Sequence, residues 1–343
     1  MLNLEIERKN NIALLKTVMM VVIVLYHSML FFGGTWFTTV VPVYEANYLY
    51  EIAKWMNTFH IQAFTMASGF LFYYLRVKRT EIGHLASIKK RAKRLLLPYL
   101  FTSLFWAAPM AIYFFKYSLW KLFNDFGLMI KPSQLWYLVM LFGVFVFFEF
   151  FGKKLKMNAK YFVAVFVATT VVGGILSKLN INIFQFAKIA QFILYFYLGG
   201  YIYENRKKIS GKQALIMTVG GVLLYIVVAC MNAFGPNWLS YVSSTVSPLV
   251  SVMEVGAIYY LCTWLVEKKK IKLKNKFYKL YEENSFGIYL FHQQIIYFTI
   301  IFLNGVVHPI VQVILSFVIA SVISILMTIV LRKFKVTRLM FGL

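Results

Sequence analysis

Cysteine and acidic residues are the scarce components of this chain. Of 343 residues only Cys230 and Cys262 are cysteines, each inside an apolar run, which argues against a disulfide framework or a cysteine-built zinc site. Asp and Glu together number 12 against 36 Lys and Arg, and charged residues make up 14% of the chain, where soluble domains carry about 25%. Gly/Ser linkers, internal repeats and low-complexity tracts are also missing. The expectation is a single domain over 1–343 with no appended soluble unit. No small-residue cleavage site follows the first apolar run, so it reads as a retained helix and not as a signal peptide.

What fills the chain instead is apolar: 61% hydrophobic and 19% aromatic residues. That excess cannot hide in one soluble core, and several runs reach the roughly 20 residues that cross a hydrocarbon layer as a helix. The runs are too long and continuous for a strand barrel. The expected fold is an all-α, polytopic membrane protein with segments near 11–32, 55–75, 95–115, 133–152, 160–177, 185–203, 213–231, 244–266, 284–303 and 308–331.

The net charge of +24 would suit nucleic acid, but its distribution reads as membrane topology. With ten spans and both termini in the cytoplasm, 29 of the 36 basic residues fall in the inside segments. Five, Lys54, Lys116, Lys121, Lys131 and Lys178, fall outside, and Lys16 and Lys188 lie within segments. A missed or invented span would invert every later loop, so the positive-inside bias supports the count. The longest outside loop, 33–54, is rich in Trp and Tyr and suits the interface.

Ionisable groups within a bilayer are costly and often mark sites. Here they are Lys16, His27, His60, Lys188, Glu254 and His292, with Glu149 near a segment end. Taken singly, each is as readily a packed or interfacial residue. Lys16 and His27 are more informative together. Eleven residues return to within about 20° of one helical face and separate the two by about 16 Å. A ligand with an anionic head and a long reactive arm, such as a coenzyme A thioester, could span them; alternatively Lys16 snorkels to headgroups and His27 merely packs. In SIKKRAKRLLLPYL, Lys90, Arg91 and Arg94 stand three and four residues apart where a helix meets the membrane. Guanidinium groups there could hold phosphates by paired hydrogen bonds, or the cluster could simply bind anionic lipid.

Six stretches in order carry a family resemblance. They are IALLKTVMMVVIVLYH, FHIQAFTMASGFLF, KRAKRLLLPYL, LWYLVMLF, FYLGGYI and ENSFGIYLFHQQII. Together they resemble the integral-membrane acyltransferase family (acyltransferase type 3), in particular its sugar O-acetylases. Each is weak alone; six in order over almost the whole chain are specific. The resemblance implies a membrane O-acyltransferase that moves an acetyl group from acetyl-CoA, a co-substrate and not a bound cofactor, to a sugar hydroxyl of a cell-surface polysaccharide or its lipid-linked precursor. It makes His27 the catalytic histidine, with His60 and His292 as further groups at the reacting centre. Lys16, Arg91 and Arg94 become donor contacts. Ser68, Gly69 and Trp136 shape the core, while Glu254 is a separate candidate from its buried charge. Ser68, His60 or His292 would supply oxyanion donors. Two positions depart from the family: Lys16 stands where arginine is usual, with Ala13 in place of an acidic residue, and HIQAF lacks the usual Met-Pro. The composition suits a bacterial inner membrane. The rival reading is a flippase or transporter for lipid-linked sugars, although no inverted repeat is visible. Oligomeric state is not legible.

Overall fold

The computed structural model of the chain describes residues 2–76, 83–205, 211–267, 273 and 275–343. Lys78, Arg79, Arg206, Lys207, Lys208, Lys268, Lys269, Lys270, Lys272 and Lys274, counted above among the inside charges, lie outside the described residues. The described residues form helices and no strands. In chain order the α-helices are α1 (Leu2–Leu30), α2 (Asn47–Met56), α3 (His60–Arg76), α4 (His84–Thr102), α5 (Ala108–Phe115), α6 (Leu119–Leu122) and α7 (Trp136–Phe151). There follow α8 (Ala159–Lys178), α9 (Phe186–Asn205), α10 (Gly211–Phe234), α11 (Leu239–Glu267), α12 (Lys276–Leu303), α13 (Pro309–Lys333) and α14 (Lys335–Phe341).

Nine helical stretches among the described residues are long and apolar enough to cross a membrane. The remaining expected segment, 55–75, is where sequence and structure differ. Its first residues belong to α2, a turn follows over 57–59, and α3 starts only at His60. At 17 residues and about 26 Å, α3 sits at the short end of spanning helices. The next stretch is longer than expected: His84–Phe115 is continuous, with a π-helical turn at Ser103–Ala107 joining α4 to α5. The basic cluster is therefore on the same rod as the span and is held rigidly to it.

The bundle is built around α1 and α12, the two most buried spans, whereas α8 and α10 show most of their surface. α1 packs against α2, α3, α11, α12 and α13; α3 lies along α9, and α12 along α13. The exposed faces carry Leu223, Ile226, Val318 and Val322, surface that lipid accepts and water would not. Several buried hydroxyls are closed within their own helices: Thr17, Ser28, Thr65 and Thr328 each donate to the carbonyl four residues earlier. These four need no water at that depth. Gly69 and Gly199 let α3 and α9 touch backbone to backbone. A Cβ on Gly69 would lie 2.0 Å from the Phe196 carbonyl oxygen, and one on Gly199 2.1 Å from that of Met66. Gly69 thus shapes the core by close helix packing and does not line a cavity.

Candidate active site

Two cavities lie end to end through the bundle. The larger, about 860 Å³, is walled by α1, α3, α4, α7 and α12 and is basic. Lys16, Lys90, Arg91, Arg94 and Lys153 line it, and among the described lining residues Glu149 is the one carboxylate. That carboxylate is already engaged: His84 Nδ1 lies 3.2 Å from Oε1 and Ser87 Oγ donates to Oε2 at 2.9 Å. The wall keeps a cationic excess suited to a polyanion. The Arg91 guanidinium lies 3.9 Å from the Phe145 ring centre and 5.1 Å from that of Phe72, so it is fixed as a flat plane. Lys16 and Arg94 both line the chamber, and Lys16 lies within electrostatic range of Arg94 and of Glu282 on α12. The three residues expected to contact the donor are brought together here.

The second cavity, about 410 Å³, holds the histidines. Ile23, Ile61 and Tyr289 line both cavities, so the two abut across a waist of three side chains. The loop residues around the basic chamber, such as Gly83, His84 and Lys153, belong to segments assigned to the inside. Those around the histidine chamber, including Trp36, Lys131 and Asn182, belong to segments assigned to the outside. Each chamber thus opens toward one side of the charge-derived topology.

The histidines share one device. His27 Nδ1 lies 2.9 Å from the Ile23 carbonyl, His60 Nδ1 2.7 Å from that of Met56, and His292 Nδ1 2.7 Å from that of Ile288. A carbonyl only accepts, so each Nδ1 carries the proton and donates to the residue four positions before it. His292 Nε2, left as an acceptor, lies 3.3 Å from His27 Nδ1 and steadies the same N–H. His27 Nε2 is left with its lone pair free. When it takes a proton, the charge is spread toward two acceptors behind the ring. Trp36 and Tyr26 hold the ring at the sides, with centroids 5.6 and 4.9 Å away.

This tautomer corrects part of the sequence-based expectation. Neutral His60 and His292 offer no N–H to the chamber and cannot act as oxyanion donors. Ser68 is also not at the histidines; eight residues beyond His60, about 12 Å along α3, it lines the basic chamber and donates to the Phe64 carbonyl at 3.0 Å. Glu254 lines neither chamber. It accepts from Trp55 Nε1 at 2.8 Å and from the Thr58 hydroxyl, and so ties α11 to the turn between α2 and α3. Trp136 does reach the histidine chamber, where the Lys188 ammonium lies 5.7 Å from its ring centre.

Other residues enter the site without having been singled out by sequence. Gln134 and Gln294 exchange amide hydrogen bonds of 2.9 and 3.0 Å, and Trp106 Nε1 donates to Gln294 at 3.0 Å. This network fastens the start of α7 to α12 beside His292. Gln293 and Gln294 directly follow His292 in an otherwise apolar helix, a signal that was readable. The loops that wall the chamber were not. Met129, Ser133, Phe184 and Gln185 all adopt positive φ, between 51° and 62°, a conformation rare for such residues and concentrated at functional sites. Gln185 Nε2 donates to the Ile130 carbonyl at 3.0 Å, and Phe184 N to that of Leu128 at 3.0 Å, locking the two loops together. Away from the spans, Lys121 is raised above the ordinary lysine value by its hydrogen bond to buried Asp125, which pins the same outer surface.

Comparison with curated proteins and with solved structures returns no match. A family model described as an acyltransferase domain, Acyl_transf_3, matches residues 9–332. That span takes in α1 from residue 9 of the chain onward, the histidine chamber, the waist and every residue lining the basic chamber except Gly342, and the chain belongs to the acyltransferase type 3 family as a multi-pass membrane acyltransferase that transfers groups other than aminoacyl groups.

Proposed function

We propose that the protein is an O-acetyltransferase of the bacterial inner membrane that moves acetyl from acetyl-CoA to a sugar hydroxyl of a cell-surface polysaccharide or its lipid-linked precursor. The observation that carries this reading is the abutment of a cationic chamber and a histidine chamber at Ile23, Ile61 and Tyr289. The phosphates of coenzyme A would be bound by Lys16, Arg91 and Arg94, and the thioester arm would pass the waist to His27. The acceptor would enter from the opposite side. A sugar hydroxyl is a poor nucleophile at neutral pH and needs a base within hydrogen-bond reach. His27 Nε2 takes the hydroxyl proton as the oxygen attacks the thioester carbonyl. The C–S bond then breaks, and the same Nε2–H protonates the departing thiolate. The same lone pair could instead attack the thioester first, giving an acyl-imidazole that the acceptor resolves; ping-pong kinetics would identify that route.

A flippase for lipid-linked sugars is less well supported, because its cargo would have to pass the apolar and aromatic side chains of Ile23, Ile61 and Tyr289 that line both chambers. Deletion of the gene followed by proton NMR of the surface glycan separates the two. Loss of acetyl signals from an intact polymer, restored by wild type, supports acetyl transfer. Loss of the polymer itself contradicts it.

The donor assignment has its own expected outcome. Replacing Arg91 or Arg94 by glutamine raises the Kd for acetyl-CoA by about tenfold or more, the scale of one charge-assisted hydrogen bond. The loss narrows at high salt, where wild-type binding also weakens. Titration of donor at several ionic strengths checks it. Arg91→Lys does not restore binding, since the stacked guanidinium plane between Phe72 and Phe145 is lost.

A further inference from the structure

The histidine chamber has a charge pattern of its own, separate from that of the basic chamber. Lys188, near the start of α9, and Lys131, in the loop before α7, both line it, and its described wall contains no carboxylate. Among the described residues no carboxylate lies within ion-pair distance of either ammonium. Lys188 is half-buried, its ammonium over the Trp136 ring. A cation held at that depth without a counter-ion is costly, and the cost is recovered when a ligand brings the missing negative charge. The rest of the wall suits a sugar. Trp36 and Trp136 offer flat rings, and Asn57 and Gln293 offer amides that both donate and accept. The loops bearing Lys131 and leading into Lys188 are cross-bonded and hold left-handed residues, so the two ammonium groups are presented by a preorganised frame.

We infer that the acyl acceptor is an anionic sugar, its carboxylate or phosphate held by Lys188 and Lys131 while the hydroxyl to be acylated lies against His27. The identity of the reaction rests on the acetyl-transfer reading; the charge preference of the chamber does not. Lys188 is thereby a specificity-determining binding residue. An alternative duty for the same ammonium, stabilising the tetrahedral oxyanion, predicts a different kinetic signature.

The test uses the full chain in phosphatidylcholine nanodiscs with three probes: p-nitrophenyl β-D-glucuronide, p-nitrophenyl β-D-glucose 6-phosphate and p-nitrophenyl β-D-glucoside. Binding is read by calorimetry, and acetyl transfer from labelled acetyl-CoA is read in parallel. The expected result is that one or both anionic glycosides bind about tenfold or more tighter than the glucoside. The stronger of the two identifies carboxylate or phosphate as the recognised group. Lys188→Gln removes that preference by raising the Kd, and the KM, of the anionic probe while leaving acetyl-CoA binding unchanged, and Lys188→Arg retains it. Equal binding of all three probes by wild type overturns the proposal without needing any variant. So does a Lys188→Gln protein that keeps the preference, or one that loses kcat equally on charged and neutral acceptors, which is the oxyanion signature. Anion-selective binding without acetyl transfer to any probe would support the charge preference and contradict the acetyl-transfer reading instead.

Discussion

Replacing His27 by alanine lowers the rate of acetyl transfer by about 10²–10⁴-fold, the contribution of a positioned general base, while the Kd for acetyl-CoA stays within a factor of about two. The size follows from what the site offers in its place. His60 and His292 carry their protons on Nδ1, facing Met56 and Ile288, and their Nε2 atoms belong to different helices from His27. The His292 Nε2 lone pair, which accepts from His27 Nδ1 at 3.3 Å in the wild type, is released by the substitution but stays behind the position of the lost ring, on its Nδ1 side. Neither can take over the lone pair that His27 presents. The unchanged donor affinity follows from the division of labour, since Lys16, Arg91 and Arg94 line the other chamber. His292→Ala is expected to cost less than His27→Ala, because the Ile23 carbonyl still holds the His27 ring at 2.9 Å. Steady-state transfer at saturating donor, with calorimetric titration of acetyl-CoA, checks both variants.

Filling the waist abolishes transfer without removing the donor site. Ile23 is buried on α1, one turn before His27, and lines both chambers. An Ile23→Trp side chain adds a ring where the thioester arm would pass. Overpacking of this kind costs about 1–3 kcal/mol of stability, so Ile61→Trp, which closes the same waist from α3, serves as an independent test. Acetyl-CoA lacking passage to His27 still places its phosphates among the basic residues. Both variants are therefore expected to bind desulfo-coenzyme A with near wild-type affinity and to transfer acetyl at least about 10²-fold more slowly, the scale attached to misplacing a reacting group by an ångström or more. Retained transfer in a folded, donor-binding Ile23→Trp protein would mean that the arm does not use the waist.

The parts of this arrangement that sequence revealed are those written along a single helix. Lys16 and His27 share a face of α1 because of helical periodicity alone, and the loops that the positive-inside bias groups together are those that line one chamber each. The Arg-x-x-Arg element was visible, though its continuity with the membrane rod at His84–Phe115 was not. What remained hidden depends on contacts between distant residues or on unmarked backbone. The α2–α3 break falls at Asn57, Thr58 and Phe59, with neither Pro nor Gly to announce it. Glu254 looked like a site residue because its charge is buried; its partners, Trp55 and Thr58, lie nearly two hundred residues earlier. The left-handed turns at Met129, Ser133, Phe184 and Gln185 use residues that do not favour that conformation, so the wall of the histidine chamber could not be read in advance. Ser68 was expected among the oxyanion donors at the reacting centre, whereas the pitch of α3 carries it into the donor chamber.

If donor and acceptor meet at His27 from opposite sides of the membrane, as proposed, transfer is vectorial, and sidedness reveals it. Protein of one orientation is placed in sealed proteoliposomes, with labelled acetyl-CoA added on the side of the 83–94 segment and the acceptor glycoside trapped on the other. Labelled glycoside is expected in the compartment that never held acetyl-CoA, with free coenzyme A released on the donor side. Label appearing only when donor and acceptor share a compartment would contradict it.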